Sequence, residues 1–116
     1  MKAWTKTQFL SQEDLPLVPV ELDDGFGVFV RTWTGEERSE FERTQLQGKD
    51  YKSDPGLFRW MLLQRCVMDG EGNHLFDAKD RKEVMGKSAG MLEKVFNSIC
   101  EVNGFTEKDV KDIEKK

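Results

Sequence analysis

Residues 55–68, PGLFRWMLLQRCVM, carry apolar side chains at nearly every position, and from Leu57 onward only three of them are strongly polar. These apolar positions cover most of the circumference of a helix, whereas a surface helix shows a single apolar stripe. At about 18 Å such a helix is too short to cross a bilayer. We therefore predict a buried central helix around which the other elements pack. A cap at Asp54 and Pro55 in the first turn mark its start.

Between residues 17 and 33 the hydrophobic pattern changes to a period of two, which is typical of half-buried strands. Two aliphatic rows flank the turn signal DDGFG and predict an antiparallel hairpin. The rows are Val18, Val20 and Leu22 in the first strand, and Val28, Val30 and Thr32 in the second. Pro16 and Pro19 have no backbone donor, so the first strand is expected at the edge of the sheet.

The length of the hairpin loop decides whether the two aliphatic rows share a face. A two-residue turn would put them on opposite faces, because side chains alternate along a strand. We therefore predict a three-residue loop, residues 24–26. The resulting pairs are Leu22 with Val28 and Val20 with Val30.

Several shorter segments have helical patterns with recognisable caps. Thr34 and Glu37 form a capping box at the start of a helix that extends to about residue 47, with Phe41 as its main apolar anchor. Asp77 is expected to cap a brief helix that stops at Gly86. Ser88 is expected to cap the next helix, which ends at Gly104. That helix has a clean apolar stripe, formed by Leu92, Val95, Phe96, Ile99 and Val102.

These elements predict an α+β fold that is mostly helical. The N-terminal antiparallel hairpin (about 17–33) packs on a bundle of about four to five helices around the buried helix 55–68. Residues 17–116 form a single compact domain with a polar C-terminal helix, 106–116. Residues 1–16 form an arm whose apolar anchors are Trp4, Phe9 and Leu10. Such an arm docks on its own domain or on a partner, and we favour its own domain.

Composition narrows the classes of function. The chain has 116 residues, a net charge of −4 and a pI near 5.1, which argues against binding to nucleic acid or to an anionic membrane. Neither a signal peptide nor a transmembrane run is apparent. Cys66 and Cys100 lie on apolar helical patterns, so we interpret them as buried, reduced thiols of a cytosolic protein.

The segment Asp69 to Asp80, DGEGNHLFDAKD, has the oxygen-bearing residues of a calcium loop at several positions. However, His74 occupies the sixth position, where glycine is needed, and Asp80 at the twelfth is shorter than the usual glutamate. A glycine-rich reverse turn followed by the helix that Asp77 caps explains the same residues. We favour the turn and predict no metal and no cofactor.

Candidate catalytic groups do not form a recognisable set. His74 is the only histidine, and neither cysteine belongs to a Cys-x-x-Cys pair. Glu36, Glu37 and Glu40 cluster at a helix start, where the helix dipole explains them. We therefore predict that the protein is not an enzyme and that its function is binding.

Exposed apolar positions are the candidates for partner binding. Phe29 and Trp33 should point away from the aliphatic face of the hairpin, and the C-terminal segment places further apolar residues on a charged helix. The predicted partner-binding residues are Phe29, Trp33, Phe105, Val110 and Ile113. The edge strand could also pair with another copy and form a homo-oligomer.

The order of motifs resembles that of the small tail assembly chaperones of long-tailed bacteriophages and prophages. The likeness covers about residues 17–116. A hairpin runs into GVFVRTWTGEERSEFE, the buried helix leads into VMDGEGNHLFD, and the chain closes with KSAGMLEKVFNSICEVNGFTEKDVKDIEKK. The opening arm adds nothing to this likeness.

The resemblance implies a cytoplasmic protein of the bacterial host, without cofactor or catalytic residues. It would bind the tape measure protein, keep it soluble and help to recruit the tail-tube protein. A long amphipathic helix without its tube exposes an apolar stripe, which small acidic proteins could cover. A structural tail or tail-completion subunit retained in the virion is the alternative. A calcium-responsive module that uses residues 69–80 is a third hypothesis.

Overall fold

Five α-helices and one three-stranded antiparallel sheet make up residues 1–47 and 56–105, the part of the chain that the computed structural model describes. The elements are α1 Lys6–Leu10, β1 Val18–Asp23, β2 Phe26–Val30, α2 Gly35–Gln47, α3 Leu57–Cys66, β3 Val67–Met68, α4 Arg81–Met85 and α5 Ala89–Val102. A 3₁₀ turn, Ala78–Asp80, precedes α4. The predicted mostly helical α+β fold with an N-terminal hairpin is confirmed.

The predicted central helix is α3, and it is buried as expected. Its buried residues are Phe58, Trp60, Met61, Leu62, Leu63 and Cys66. Gly56 occupies the N-cap with a φ of 95°, a left-handed conformation that glycine adopts without strain. The predicted cap at Asp54 and the proline at position 55 lie outside the described residues.

The predicted C-terminal end of this helix was wrong. The helix stops at Cys66, and Val67–Met68 continue directly as β3. β3 pairs antiparallel with β2, with Val30 opposite Val67. The β-branched Val67 favours a strand, and the open side of β2 offers it backbone partners. Apolar pattern alone could not separate the last helical turn from a short buried strand.

The hairpin lies where it was predicted, but its register differs. Its turn has two residues, Asp24 and Gly25, both with positive φ (34° and 88°). A bulge between Glu21 and Asp23 then inserts one extra residue into β1. The two aliphatic rows therefore share a face, although the predicted pairing is wrong by two residues. The observed aliphatic pairs are Val18 with Val30 and Val20 with Val28.

The strand order β1-β2-β3 confirms that β1 lies at an edge of the sheet. The main core cluster joins the aliphatic face of the hairpin to α3 and α5. The stripe predicted on α5 is confirmed, since Val95, Phe96 and Ile99 are buried and Leu92 and Val102 pack against the cluster. A second cluster, consisting of Phe41, Phe58 and Met61, attaches α2 to α3.

The predicted helix caps at Thr34, Ser88 and Gly104 are confirmed. The backbone N–H of Thr34 donates to Glu37 Oε1 (2.8 Å), and the N–H of Glu37 donates to Thr34 Oγ1 (3.1 Å). The N–H of Met91 donates to Ser88 Oγ (3.5 Å). After α5, the N–H of Phe105 bonds to the carbonyl of Cys100 (2.9 Å), while Gly104 has a φ of 70°. This arrangement is a Schellman motif.

The N-terminal arm does not dock on its own domain, contrary to our expectation. It forms the short helix α1, which Thr5 and Gln8 cap reciprocally. Trp4, Phe9 and Leu10 are 60%, 65% and 69% exposed. The Trp4 and Phe9 rings contact each other edge to face, with their centroids 6.3 Å apart. This local aromatic pair, together with the cap, stabilises the arm without contact to the core.

Candidate functional site

A polar cavity of about 410 Å³ lies where β2 ends, α2 begins and the turn after β3 returns to α3. Its lining consists of Arg31, Thr34, Glu36, Glu37, Glu40, Gln64, Arg65 and His74. We call these eight residues the polar cluster. The helix dipole was the predicted role of its three glutamates, but two of them, Glu37 and Glu40, also pair with Arg31 and Arg65.

Arg31 and Glu37 form the buried centre of the polar cluster. Arg31 follows β2 directly, and its own backbone N–H donates to the carbonyl of Cys66, the last residue of α3 (3.0 Å). Its Nη1 donates to Glu37 Oε1 (3.0 Å) and to the carbonyl of Thr32 (2.6 Å). The two side chains are only 10% and 14% exposed, so each charge depends on the other for compensation.

The environment of Glu37 keeps its carboxylate ionised. Burial alone raises the pKa of Glu37. This effect of burial is outweighed by the hydrogen bonds from Arg31 and from the Thr34 backbone, and by the positive charges of Arg31 and His74. The pKa of Glu37 therefore lies below its usual value. A general acid at neutral pH needs the opposite shift. Glu37 is therefore suited to holding Arg31 in place, and not to donating a proton.

His74 joins the turn after β3 to this pair. Its Nδ1 lies 3.1 Å from the carbonyl oxygen of Gln64, and its Nε2 lies 3.5 Å from Glu37 Oε2. The ring thus lies between the carbonyl of α3 and the carboxylate of α2 and connects the turn to both helices.

A second ion pair links α2 to α3. Arg65 Nη2 donates to Glu40 Oε2 (2.9 Å), and Arg65 Nη1 donates to Gln64 Oε1 (2.6 Å). The carboxylates of Glu37 and Glu40 are three residues apart on α2 and therefore face the same side. The polar residues at 64 and 65 interrupt an otherwise apolar helix, and this was the sequence signal that could have predicted the pairs.

The segment tested as a calcium loop is a reverse turn, as we favoured. Asp69 Oδ1 accepts from the backbone N–H groups of Glu71 (2.8 Å) and Asn73 (3.0 Å). The bonds from Asn73 and Glu71 hold the pKa of Asp69 below its usual value. Farther along, Asp80 Oδ2 accepts from the N–H of Asp77 (2.7 Å), which closes the 3₁₀ turn. Within residues 1–47 and 56–105, no cluster of three or more His, Cys, Asp or Glu side chains could hold a metal.

Both cysteines are buried and unoxidised, as predicted. Burial, with the nearby charge of Glu37 as a second cause, raises the pKa of the Cys66 thiol to about 12. Because the thiolate is the nucleophile, this thiol is protonated and unreactive at neutral pH. Cys66 is therefore a packing residue of α3.

The predicted partner-binding residues occupy different environments. Trp33 lies beyond β2 and is half-buried, with its ring 4.9 Å from that of Phe41 and 5.6 Å from that of Phe105. Its predicted position on a wet face of the sheet was therefore wrong. Phe105 is half-buried in the same aromatic group, whereas Val110 and Ile113 lie outside the described residues. Whether any of these residues contacts a partner stays a prediction.

Phe29 does lie on the face of the hairpin opposite the aliphatic rows, as predicted. It pairs across the strands with Pro19, and its ring lies against the turn at Gly70. At the tip, Phe26 is 79% exposed. We call Pro19, Phe26 and Phe29 the hairpin surface. A hollow of about 430 Å³ opens beside these residues, so the hairpin surface can accept an apolar side chain.

Among the described helices, none combines the length and the apolar content required to cross a membrane.

Comparison of the chain with models of known protein families, with curated proteins and with solved structures gives no match.

Proposed function

We propose that this protein is a tail assembly chaperone of a long-tailed bacteriophage or prophage. It acts in the cytoplasm of the bacterial host as a binding protein and not as an enzyme. Its principal partner is the tape measure protein, which it keeps soluble while tail-tube subunits are recruited. The proposal rests on the order of motifs over residues 17–116 and on an exposed apolar surface in an otherwise strongly charged chain.

The observation that carries the proposal is the hairpin surface. Phe26 is 79% exposed at the tip, and Phe29, which is half-buried on the other face of β2, lines the same hollow. A large apolar side chain exposed beside a hollow is a candidate for contact with a partner. An amphipathic helix recognised by its apolar stripe inserts side chains at intervals of three and four residues into such a surface. The acidic net charge of −4 keeps the chaperone itself soluble.

Co-expression with the tape measure protein of the same phage tests the proposal. The full chain should increase the soluble fraction of the tape measure protein and co-purify with it. Phe26→Ser should reduce the recovered complex by about tenfold, because it removes an apolar anchor without disturbing the core. Leu75→Ser is the matched control, since Leu75 is also exposed, at 43%, but lies outside the hairpin surface. Equal insolubility of the tape measure protein with and without the chain would contradict the proposal.

Mass spectrometry of purified phage particles separates the chaperone from the alternative structural subunit. A chaperone is released before assembly ends, so its peptides should be missing from finished particles. If finished particles contained these peptides in the number of copies that forms one ring of the tail, the result would instead support a tail or tail-completion subunit.

A further inference from the structure

The N-terminal arm presents exposed apolar side chains, and a groove between α3 and α5 offers an apolar floor with a charged rim. We propose that the arm of one copy docks in this groove of a second copy, so that two chains exchange arms in a symmetric dimer. This inference does not depend on the function proposed above.

The arm presents a preformed apolar unit. Trp4 and Phe9 contact each other, Leu10 follows, and none of the residues 1–16 is buried. The reciprocal cap of Thr5 and Gln8 favours the helical turn of Lys6–Leu10 in the exposed arm. A segment whose bound conformation is already favoured loses less conformational freedom on binding than an unstructured one.

The groove has an apolar floor and a charged rim. It has a volume of about 350 Å³ and is lined by Arg59, Leu63, Met85, Lys87, Ala89, Leu92, Glu93 and Phe96. Leu63 and Phe96 are buried in its floor, and Leu92 and Met85 are half-buried. This volume suits one or two large apolar side chains.

Charge fixes the direction of docking. Arg59 lies over the Phe96 ring, 4.4 Å from its centroid, and pairs with Glu93 at 3.3 Å. Lys87 lies on the same rim and has no carboxylate partner within residues 1–47 and 56–105. The arm carries charges of both signs: Lys2 and Lys6 flank Trp4, and Glu13 and Asp14 follow Leu10 by three and four residues. With the apolar unit on the floor, these carboxylates can face Lys87.

The arm stays exposed in the single chain, since none of the residues 1–16 is buried, and a second copy offers it an open groove. One or two of its large apolar side chains fill each groove, and a two-fold exchange makes this contact twice. The total is on the order of 1,000 Å², the size of a weak, concentration-dependent interface. A two-fold exchange also closes on itself and leaves neither groove open.

Analytical ultracentrifugation of the full chain over a range of concentrations tests the dimer. The wild type should show a concentration-dependent monomer–dimer equilibrium. Phe9→Ser should increase the dissociation constant of the dimer by at least about thirtyfold, because the variant has no aromatic ring to bury in the groove. Phe26→Ser, which removes a ring that is also exposed (79%, against 65% for Phe9) from the hairpin, should leave the dimer unchanged. A monomer at all concentrations, or a dimer that Phe9→Ser leaves intact, would overturn the proposal.

Two further variants test the groove and the exchange. Lys87→Glu should weaken the dimer, and Glu13→Lys in the same chain should restore it. A mixture of the Phe9→Ser chain with a Leu92→Asp chain should associate more weakly than the wild type but more strongly than either variant alone, because one intact arm can still enter one intact groove. An arm that folds back on its own groove would give no restoration in the mixture, and this result would also overturn the proposal. Because Phe26→Ser tests tape measure binding separately, the dimer and the proposed function can fail independently.

Discussion

Arg31 and Glu37 illustrate how two charges become part of a core. Their side chains are almost inaccessible, and each has further hydrogen bonds, to the Thr32 carbonyl and from the Thr34 backbone. A buried pair of this kind contributes little net stability compared with apolar residues of similar size, but loss of one partner leaves an uncompensated charge. The pair therefore fixes where α2 begins relative to β2.

Glu37→Gln should lower the free energy of unfolding at pH 7 by about 2–3 kcal/mol, because Arg31 stays buried without its carboxylate. The folded pKa of Glu37 lies below its ordinary value of 4.5. The stabilisation is therefore complete above that pH and is lost as the pH falls through the lower folded pKa. Urea unfolding between pH 7 and pH 3 should show the wild type and the variant converging in acid.

Glu42→Gln is the control for this experiment. Glu42 pairs with Arg38 at 2.9 Å, but both side chains are more than half exposed. An exposed pair contributes less than about 1 kcal/mol, so this variant should differ little from the wild type at either pH. A similar loss in both variants would mean that burial of the Arg31–Glu37 pair is not the cause.

At the scale of elements, the hairpin reaches its register through a compromise between turn and strand. The Asp24-Gly25 turn alone would place the aliphatic rows on opposite faces. The bulge at Leu22 restores the common face by adding one residue to β1. Pro19 and the charged Glu21 in β1 are features that oppose pairing of an edge strand with another chain. The predicted homo-oligomer through this edge stays a prediction.

Gly27 lies opposite the bulge, and its substitution tests this arrangement. A Cβ at this position would overlap the carbonyl oxygen of Val20, which is backbone and cannot turn aside. Gly27→Ala should therefore lower the free energy of unfolding by about 2 kcal/mol or more. Gly35→Ala adds the same methyl group where no atom lies within 4 Å, and should change it by less than about 0.5 kcal/mol. Equal stabilities in chemical denaturation would contradict the observed register.

At the scale of the whole molecule, α3 connects both core clusters. Leu62 and Leu63 contribute to the main cluster with the hairpin and α5, while Phe58 and Met61 contribute to the second cluster with α2. Different sides of a single helix thus serve two packing interfaces, and Trp33 and Phe105 pack against both. This explains why its apolar residues follow no single stripe.

Leu62→Ala should lower the free energy of unfolding by about 3 kcal/mol, because Leu62 has 0% exposure and its removal leaves a cavity. Leu75→Ala is the matched control and should lower it by less than about 1 kcal/mol, because its side chain is 43% exposed. Chemical denaturation monitored by tryptophan fluorescence measures the free energy of unfolding of both variants. Similar losses in the two variants would mean that α3 is not the centre of the fold.

Features that depend on local chemistry could be predicted from the sequence. The apolar run of α3, the stripe of α5 and the caps at Thr34, Ser88 and Gly104 each follow from nearby residues. Features that depend on contacts distant in sequence could not. β3 requires an open side of β2, and the polar cluster requires α2, α3 and the turn at His74 to meet. The exposure of the arm also could not be predicted, since apolar residues alone do not show what they contact.

The junction between α3 and β3 contains no connecting residue. Cys66 is the last residue of the helix and Val67 the first residue of the strand, and the N–H of Val67 still bonds to the carbonyl of Leu63. One inserted amino acid would rotate part of the helix by about 100° or turn Val67 to the opposite side of the sheet. The junction should therefore tolerate no change in chain length, because an insertion or deletion there would break either the bond of the Val67 N–H to Leu63 or the pairing of Val67 with Val30.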